Sequence, residues 1–512
     1  MSTLDALAEH SFFFTKMERD TLASAKTKAP DGGAKGHSLL YRLLKPGMSL
    51  LSSAIPDTVA PNTVSLIGAL CALQAFHLTT QYLESDPTRA TPVIVVLLAV
   101  SALCPVLADF HGSRCRSHSS VGNVFLEMAS AVRSVFFAAT LVPLYLGSAT
   151  LRLNAPAAAA AATAATAERL AASWYLVVGM QLLRLCDVVL RVSQKVPGSV
   201  VTATYMLTSA ELALLQAALI CHRWLAPQSP VYVDWVPAIL TISNLRFFYN
   251  TSMCLALSAV LLLRAPSRSV WPLLICLCSR VIPSFWLPLN DVSALSVLGD
   301  AAMIAIVQVE VYASALAQRT AHSAVAVMAV GSIVNAPLAI VGCCLYATGL
   351  MADLSFFTST PLFVPIKNVY IDGVFDMCHI GHKRLMENAL KHGNRLICGV
   401  MGDEDCATYK RKPIMSTEER CAEVRACKYV SEVIPCAPCF GLTEEFLKEH
   451  NIHVVVYGEE YDKPTDKYYA AARRLGIQKI APRTGGISTS ELIRRIKAQS
   501  EAELVAKDLK DK

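Results

Sequence analysis

Charged residues are scarce in this sequence. They make up 17% of the 512 residues, and hydrophobic residues make up 54%, whereas about a quarter of an ordinary soluble protein is charged. The charges that are present concentrate before residue 46 and after residue 366. This distribution argues against a single soluble domain and predicts a membrane domain between two polar regions.

The middle region also lacks the polar faces that the helices of a soluble core present to water, and a segment such as Val93–Leu107 has none. A large soluble helical core is therefore disfavoured. Apolar stretches long enough to cross about 30 Å of hydrocarbon predict nine or ten membrane spans instead. They lie near residues 63–80, 92–109, 132–149, 172–191, 200–222, 234–264 with an interruption, 271–289, 294–317 and 325–350.

A cleavable signal peptide is not apparent. Residues 1–35 are polar and basic, so we expect the first span to act as the insertion signal. Positive charge in this arm and in the loop with Arg114 and Arg116 predicts that both face the cytosol. Ten spans would return the C-terminus to the cytosol, and nine would not.

The 17 cysteines do not follow the regular spacing of a secreted disulfide framework. Many lie within apolar stretches, which predicts reduced thiols. Cys436-Ala-Pro-Cys439 matches Cys-x-x-Cys, but a zinc site normally needs a second pair or histidine partners. We interpret this segment as an ordinary loop close to an active site, with a zinc site as the weaker alternative.

The polar C-terminal region contains the motif His379-Ile-Gly-His382. Before it, Val369–Ile371 is a β-branched and aromatic run that Asp372-Gly373 ends, and after it apolar residues resume at helical spacing. This pattern predicts a strand, a turn and a helix. The histidines then lie at the helix start, where unpaired amides and the helix dipole favour phosphate. Imidazole can donate a proton to charge that develops on phosphate near neutral pH.

A second motif, Arg483-Thr-Gly-Gly-Ile-Ser-Thr-Ser490, follows a hundred residues later. Arginine binds phosphate with two hydrogen bonds, and Gly485 and Gly486 allow close backbone approach. The serines and threonine that follow offer hydroxyls and a helix N-cap. The first motif alone could arise by chance, but the two in this order with compatible flanks indicate a nucleotidyl-transfer site.

Predicted strands near 369–371, 395–401, 429–434, 453–457 and 478–481 alternate with predicted helices. This order predicts a parallel α/β sheet of Rossmann-like topology, with the active site at the carboxyl ends of the strands. The predicted fold class is an all-α multi-span membrane domain followed by an α/β Rossmann-like nucleotidyltransferase domain.

Residues Tyr370–Ile496 resemble the catalytic domain of the cytidylyltransferases that make CDP-choline and CDP-ethanolamine. The resemblance implies in-line attack of a phosphomonoester on the α-phosphorus of CTP without a covalent enzyme intermediate. It also implies a homodimer formed around the first motif. Magnesium would travel with CTP, because the sequence suggests no dedicated metal site. Besides the two motifs, the similar segments are Leu396–Val400, Asp403-Glu404, Lys410, Glu419-Arg420, Lys428–Val433 and Ala437-Pro438.

The same resemblance implies roles for individual residues. His379 and His382 would stabilise the α-phosphate and the leaving pyrophosphate. Lys410 would bridge the phosphates of the two substrates, and Arg483 would complete the catalytic set. Asp376 would orient the first motif. The nucleotide-binding residues would be Val374, Phe375, Asp376, Gly381, Tyr457, Gly458, Glu459, Thr484, Gly486, Ile487, Ser488 and Thr489.

The chain departs from the family pattern in two places. Gly485 stands where the family usually has a glutamate or glutamine, which we expect to loosen the turn without abolishing the site. Cys439-Phe440 follows Ala437-Pro438 where the choline enzymes have a tryptophan and the ethanolamine enzymes often a tyrosine. A quaternary ammonium favours aromatic faces. The predicted substrate-binding residues are Lys410, Phe440, Tyr461 and Tyr469.

Three acceptors stay open at this point. Phosphocholine is favoured over phosphoethanolamine, also because the ethanolamine enzymes usually carry two catalytic units and this chain has one. Glycerol phosphate is the third candidate, since Tyr457-Gly-Glu-Glu460 is somewhat closer to the pattern of that group. A competing function is a catalytically inactive membrane scaffold or lipid sensor. The intact histidines, Lys410 and Arg483 argue against it.

Residues 39–72 carry a second resemblance, to the choline/ethanolamine phosphotransferases of the CDP-alcohol family, in Ser38-Leu-Leu, Ile55-Pro and Ala60–Gly68. That family needs four acids to hold two divalent cations. At these positions the chain has Ala108, His111, Leu126 and Ser130. Asp109 and Glu127 are one residue out of register, about 100° away on a helix, which leaves a metal site with His111 as a weaker alternative.

We therefore predict five regions: a polar arm at 1–38, a degenerate phosphotransferase-like membrane domain at 39–350, a linker at 351–367, a cytidylyltransferase domain at 368–497 and a charged tail at 498–512. Because CTP is cytosolic, ten spans are favoured, with the catalytic domain facing the cytosol from an endomembrane such as the endoplasmic reticulum. The expected partners are CTP, phosphocholine or phosphoethanolamine, a second copy of the chain and a downstream phosphotransferase. No nucleic acid partner is expected.

Overall fold

The computed structural model describes residues 12–15, 18, 39–83, 85–115, 117, 119–146, 164–193, 210–226, 239–263, 270–286, 293–334, 336–358, 360–409 and 412–508. The chain divides into two compact units. The first comprises Met1–Thr358 with Leu362–Val364, and the second comprises Ser359–Pro361 with Pro365–Lys512.

The first unit consists of helices in the part that the structure describes. Apolar chain favours helix in a membrane because every backbone polar group then pairs within its own segment. The helices are α1 Leu39–Ala54, α2 Pro61–Tyr82, α3 Pro87–Arg114, α4 Ser120–Leu146, α5 Ala164–Ser193, α6 Ala210–Leu225, α7 Ile242–Leu262, α8 Trp271–Trp286, α9 Ala294–Leu316, α10 Ser323–Val334 and α11 Ala336–Phe357.

Six of these helices contain a stretch long and apolar enough to cross a membrane. The stretches are Pro61–Tyr82, Pro87–Arg114, Val121–Val142, Ile242–Leu262, Ala294–Leu316 and Pro337–Phe357. They confirm the predicted multi-span helical region. The spans predicted at 172–191, 200–222 and 271–289 fall on α5, α6 and α8, which are not among the six, so the count of nine or ten stays a prediction. The span expected at 325–350 falls on α10 and α11, and Pro337–Phe357 of α11 is among the six.

Helix α9 lies in the middle of the first unit. Nearly all of its side chains from Val297 to Ser314 are buried, and it packs against α4, α5 and α11. Its carboxylates have partners, as buried charges require. Asp300 accepts a hydrogen bond from the indole of Trp174 at 2.7 Å, and Glu310 lies 2.7 Å from Arg319.

The four positions that lack the phosphotransferase acids make structural contacts. Ala108 and Leu126 belong to one apolar cluster. His111 donates from Nε2 to the carbonyl oxygen of Val59 at 2.7 Å, and Ser130 accepts a hydrogen bond from an arginine of α5 at 2.8 Å. These contacts join neighbouring helices, and none of the four side chains is a carboxylate.

Glu127 belongs to a buried ion-pair network. Its carboxylate lies 2.8 Å from Arg184 and 3.2 Å from Arg191, and Arg191 also lies 3.0 Å from Asp187. Among the described residues, no group of three His, Cys, Asp or Glu side chains could hold a metal ion. The alternative metal site that included Glu127 is therefore not supported.

The second unit is built on a parallel sheet with the strand order β3-β2-β1-β4-β5. Central β1 pairs with β2 on one side and with β4 on the other, and Val369–Ile371 within it are fully buried. The sheet confirms the predicted α/β topology. The strands are β1 Asn368–Gly373, β2 Arg395–Met401, β3 Glu432–Ala437, β4 Ile452–Gly458 and β5 Gln478–Ala481.

Helices lie between the strands of this sheet and after its last strand. They are α12 Ile380–Leu390, α13 Asp403–Tyr409, α14 Thr417–Arg425, α15 Glu444–Glu449, α16 Ala470–Arg474 and α17 Thr489–Asp508. Each parallel connection crosses back over the sheet, which leaves the carboxyl ends of the strands at one edge.

One predicted strand boundary is wrong, and two predicted regions contain helix. Strand β3 starts at Glu432 and not at 429, because the Val430 amide closes a turn on the Cys427 carbonyl. The first seven residues of the predicted linker at 351–367 are helical, because α11 continues to Phe357. In the predicted tail, α17 continues to Asp508. A helix that faces water can contain many charged residues, because oppositely charged side chains one turn apart stabilise it.

Replacing Arg184 with alanine should destabilise the first unit. Glu127 and Arg184 expose only 8% and 6% of their side chains, and breaking a buried pair costs about 3 kcal/mol or more. Thermal unfolding of the full chain in detergent measures this cost. Arg89→Ala is the matched control, because Arg89 is 90% exposed in its pair with Asp86 and such a pair contributes less than about 1 kcal/mol. Equally small effects of both variants would contradict the buried network.

Candidate active site

A cavity of about 410 Å³ opens at the carboxyl ends of β1, β4 and β5. This edge is where open parallel sheets bind their ligands. Both sequence motifs contribute to its wall, so the fold brings them together. The predicted site residues that line it are Val374, Phe375, Asp376, His379, Gly381, His382, Tyr457, Gly458, Tyr461, Tyr469, Arg483, Thr484, Ile487, Ser488 and Thr489.

The two histidines of the first motif form the cap of α12. His379 Nδ1 accepts a hydrogen bond from the Gly381 amide at 3.1 Å, and His382 Nδ1 accepts one from the His379 amide at 3.4 Å. Because each Nδ1 is an acceptor, hydrogen bonding assigns the proton of each neutral ring to Nε2. The rings stack with their centroids 3.9 Å apart. Each ring can therefore donate from Nε2 to a ligand.

Both histidines are neutral near physiological pH. Burial lowers the pKa of His379. Burial and the adjacent His379 ring lower the pKa of His382 to about 4, although Asp376 acts in the opposite direction. Two stacked imidazolium rings would also repel each other. The proton donor expected from the sequence is thus the Nε2–H of a neutral imidazole and not an imidazolium.

Asp376 connects the first motif to two other segments. Its carboxylate accepts hydrogen bonds from the Ile414 and Met415 amides at 3.1 Å, and its carbonyl oxygen accepts one from Thr489 Oγ1 at 3.2 Å. The residues on either side of Asp376 have φ values of 53° and 52°. Such a left-handed backbone is strained for residues other than glycine and is typical of functional sites.

Arg420 is a positioning residue that the sequence analysis did not assign. Its buried guanidinium donates to the carbonyl oxygen of Val374 at 2.6 Å and to that of Met415 at 3.2 Å, and it pairs with Asp403 at 2.5 Å. It therefore fixes the backbone of two segments that Asp376 also joins. The signal in the sequence is the i, i+4 spacing from Arg420 to buried Val424, which places a charge on an apolar helix face.

The second motif forms the turn between β5 and α17. Gly486 has a φ of +80°, which glycine adopts without a steric penalty. Ser488 Oγ accepts a hydrogen bond from the Glu491 amide at 3.2 Å. A Cβ atom on Gly485 would meet no heavy atom within 4 Å, so the turn has room for the larger residue that the resembled family usually has there.

A carboxylate and four tyrosines form another part of the site. Tyr469 donates from its hydroxyl to one oxygen of Asp372 at 2.5 Å, and the Tyr468 hydroxyl lies 2.9 Å from the other oxygen. Tyr457 stacks on Tyr469 with centroids 4.2 Å apart, and Tyr461 meets Tyr469 edge to face at 5.9 Å. Burial raises the pKa of Asp372 to about 6, although the tyrosine hydroxyls lower it. Above that pH the carboxylate is ionised and attracts cations.

Several predicted positions lie elsewhere. Phe440 is not part of the cavity wall, because the loop after β3 leaves its side chain 76% exposed. Glu459 and Gly486 are also absent from the wall. Lys410 lies outside the described residues, so its role stays a prediction. Sequence reasoning missed Asp372 as a site residue, although an acid at the carboxyl end of a central strand was the available signal.

Part of this chain is similar to known proteins. The family model described as cytidylyltransferase-like matches residues 370–495. An ethanolamine-phosphate cytidylyltransferase of Dictyostelium discoideum is 40% identical over 134 residues, which are 26% of this chain and 37% of that protein. Choline-phosphate cytidylyltransferase 2 of Arabidopsis thaliana is 41% identical over 139 residues, which are 26% of this chain and 45% of that protein.

Choline-phosphate cytidylyltransferase A of Homo sapiens is 40% identical over 141 residues, which are 27% of this chain and 38% of that protein. The chain thus spans 37% to 45% of the length of these three relatives. Residues 370–495 form a cytidylyltransferase-like domain.

The two glycines of the second motif should respond differently to alanine. Gly486→Ala places a Cβ atom in the left-handed region, which costs about 1–2 kcal/mol, and we expect activity with CTP to fall about tenfold. Gly485→Ala has open space and should leave activity unchanged, with stability raised by up to about 1 kcal/mol. Unfolding and steady-state kinetics of the two full-length variants test this. Equal losses in both would contradict the described turn.

Proposed function

We propose that this protein is a membrane-anchored cytidylyltransferase that transfers CMP from CTP to phosphocholine and releases pyrophosphate. The product, CDP-choline, would serve phospholipid synthesis. The observation that carries the proposal is the meeting of both phosphate-binding motifs with the Asp372–tyrosine group around one cavity. Transfer to phosphoethanolamine is the second candidate.

The histidine and arginine donors suit the triphosphate of CTP. The Nε2–H groups of His379 and His382, the guanidinium of Arg483 and the dipole of α12 all favour anionic oxygens. An oxygen of the acceptor phosphate attacks the α-phosphorus, and the bond to pyrophosphate breaks. The donors stabilise the charge that moves onto the leaving oxygens.

No general base is needed in this step. A phosphomonoester has its second pKa near 6, so its attacking oxygen is already an anion at neutral pH. Neutral histidines that donate hydrogen bonds are therefore sufficient, and an imidazolium is not required. Magnesium is part of the CTP substrate in this proposal.

The Asp372–tyrosine group suits a cationic acceptor. An ionised carboxylate with aromatic side chains along the same cavity wall attracts a quaternary ammonium, because aromatic rings favour cations and this cation needs no hydrogen bonds. Both oxygens of Asp372 already have tyrosine hydroxyls within 2.9 Å. The N–H groups of a primary ammonium would have to compete with these hydroxyls. This arrangement favours phosphocholine over phosphoethanolamine.

Two further candidates fit the site less well. Glycerol phosphate carries no cation, so it would give the Asp372 carboxylate no cationic partner. An inactive scaffold would not need two histidines fixed as Nε2 donors at a strand end. The relatives include both choline-phosphate and ethanolamine-phosphate enzymes, so their names do not choose the acceptor.

The helical unit supports a permanent membrane anchor, since six of its helices are long and apolar enough to span a bilayer. We propose that it lies in an endomembrane such as the endoplasmic reticulum, with the catalytic domain in the cytosol where CTP is found. CDP-choline would then be released at a membrane surface to a separate phosphotransferase. The homodimer implied by the resemblance belongs to the same proposal.

Acceptor use should depend on the charge of Asp372. Its pKa of about 6 lies above the ordinary value of 3.8, so it is ionised above pH 6 and loses its charge as the pH falls below that value. The acceptor phosphate loses a charge in the same range. We therefore expect the logarithm of kcat/KM for phosphocholine to fall more steeply just below about pH 6 than the slope of about one that the substrate alone causes.

Asp372→Asn isolates the enzyme's contribution to this profile. The variant should keep only the slope of about one that the substrate causes, with kcat/KM lowered on the order of tenfold at neutral pH. Identical slopes in the two proteins would show that Asp372 does not recognise the cation.

Product formation by the full chain in membranes tests the function itself. With CTP and magnesium, phosphocholine, phosphoethanolamine and glycerol phosphate are offered together, and the CDP products are identified by mass. We expect CDP-choline to dominate. His382→Ala should lower the rate about 100-fold or more, whereas His392→Ala, outside the cavity wall, should not change it. CDP-ethanolamine as the main product would support the second candidate, and no product at all would support a scaffold.

A further inference from the structure

Cys436 and Cys439 lie in a distorted segment at the end of β3. Val400 of β2 pairs with Pro435, but the next residue, Met401, pairs with Ala437. Cys436 is the extra residue of this bulge, it is exposed, and its φ is 49°. Bulges and left-handed residues are typical of functional segments. Neither cysteine forms a disulfide.

Tyr468 holds the loop that contains Cys439 at both ends. The carbonyl oxygen of Pro438 accepts a hydrogen bond from the Tyr468 hydroxyl at 2.6 Å. The amide of Leu442 donates to the carbonyl oxygen of Tyr468 at 2.9 Å. Any change that draws Cys436 and Cys439 together must therefore act on Pro438, which lies between them.

The Tyr468 hydroxyl connects this loop to the cavity. It has a single proton, but it faces two acceptors, Pro438 at 2.6 Å and Asp372 at 2.9 Å. Only one of them can receive that proton at a time. The position of Pro438 thus influences how Tyr468 interacts with the carboxylate that we assign to the acceptor cation.

We propose that Cys436 and Cys439 form a reversible disulfide that weakens acceptor binding. This inference rests on the proposed function for its effect on catalysis. The oxidant is a small disulfide such as oxidised glutathione, which receives two electrons and two protons. The Cys436 thiolate attacks it and releases one thiol, and Cys439 then attacks the mixed disulfide at the Cys436 sulfur and releases the second thiol.

The order of attack follows from exposure. Cys436 is exposed, whereas Cys439 is partly buried and has its sulfur 3.9 Å from the carbonyl oxygen of Asp405. An accessible thiol reacts first with a dissolved disulfide, and its neighbour resolves the intermediate. The resulting ring contains Pro438, so its carbonyl oxygen must shift relative to Tyr468.

The effect should be confined to the acceptor. Asp372 and Tyr468 must rearrange when Pro438 moves, and a hydrogen bond to a charged group accounts for about a tenfold change in binding. We therefore expect the KM for phosphocholine to rise about tenfold on oxidation. The KM for CTP should stay unchanged, because the loop makes none of the contacts that fix His379 and His382.

Mass spectrometry of the full chain detects the bond directly. Trypsin cleaves after Lys428 and Lys448, and the peptide 429–448 contains Cys436 and Cys439 and no other cysteine. After treatment with oxidised glutathione and blocking of thiols, this peptide should lose two hydrogens, and dithiothreitol should restore them. The kinetics of the same samples should show the reversible rise in the KM for phosphocholine.

Matched variants separate this bond from other oxidation. Cys436→Ser should keep the activity of the reduced protein and become insensitive to oxidised glutathione, whereas Cys427→Ser, which removes a thiol of the same unit outside this loop, should stay sensitive. A peptide that keeps both hydrogens or stops at the mixed disulfide would overturn the proposal, as would equal sensitivity of Cys436→Ser and the unchanged protein. If the reduced protein makes no CDP product, the proposed function fails, and the peptide mass still decides whether the disulfide forms.

Discussion

The candidate site depends on how helix α12 begins. The amide of Gly381 donates to His379 Nδ1, and the amide of His379 donates to His382 Nδ1. These two hydrogen bonds satisfy amides that a helix start leaves unpaired, and they fix both rings as Nε2 donors. The same residues thus end the turn after β1 and prepare the cavity for phosphate. Local folding and ligand recognition use one set of contacts.

The rest of the second unit keeps this helix start in place. Asp376 and Arg420 join it to the segment at 414–415, and Thr489 joins it to the second motif. A parallel sheet supplies the common edge at which these segments meet. Since the groups are fixed before a ligand binds, little reorganisation is needed as charge develops on phosphate. In the helical unit, the described ion-pair network around Glu127 serves packing within that unit.

The sequence predicted the features that depend on local pattern. Strand β2 lies at its predicted position because it is a short, mainly apolar run with clear ends, and β5 also lies where it was predicted. The partner of Asp372 could not be predicted, since Tyr468 and Tyr469 lie almost a hundred residues away in the chain. Phe440 was assigned to the cavity from a family pattern, but the loop after β3 leaves it in solvent. Long-range placement depends on tertiary contacts that residue spacing alone does not contain.

The central claim is that His379 and His382 act as neutral Nε2 donors. Nitrogen NMR of histidine-labelled full-length protein in lipid bilayers measures this directly, with the two signals assigned through His379→Gln and His382→Gln. The account predicts that both rings carry their proton on Nε2 near pH 7 and that His382, with a pKa of about 4, is still neutral near pH 5. An imidazolium signal from His382 near pH 7, or a proton on its Nδ1, would contradict it.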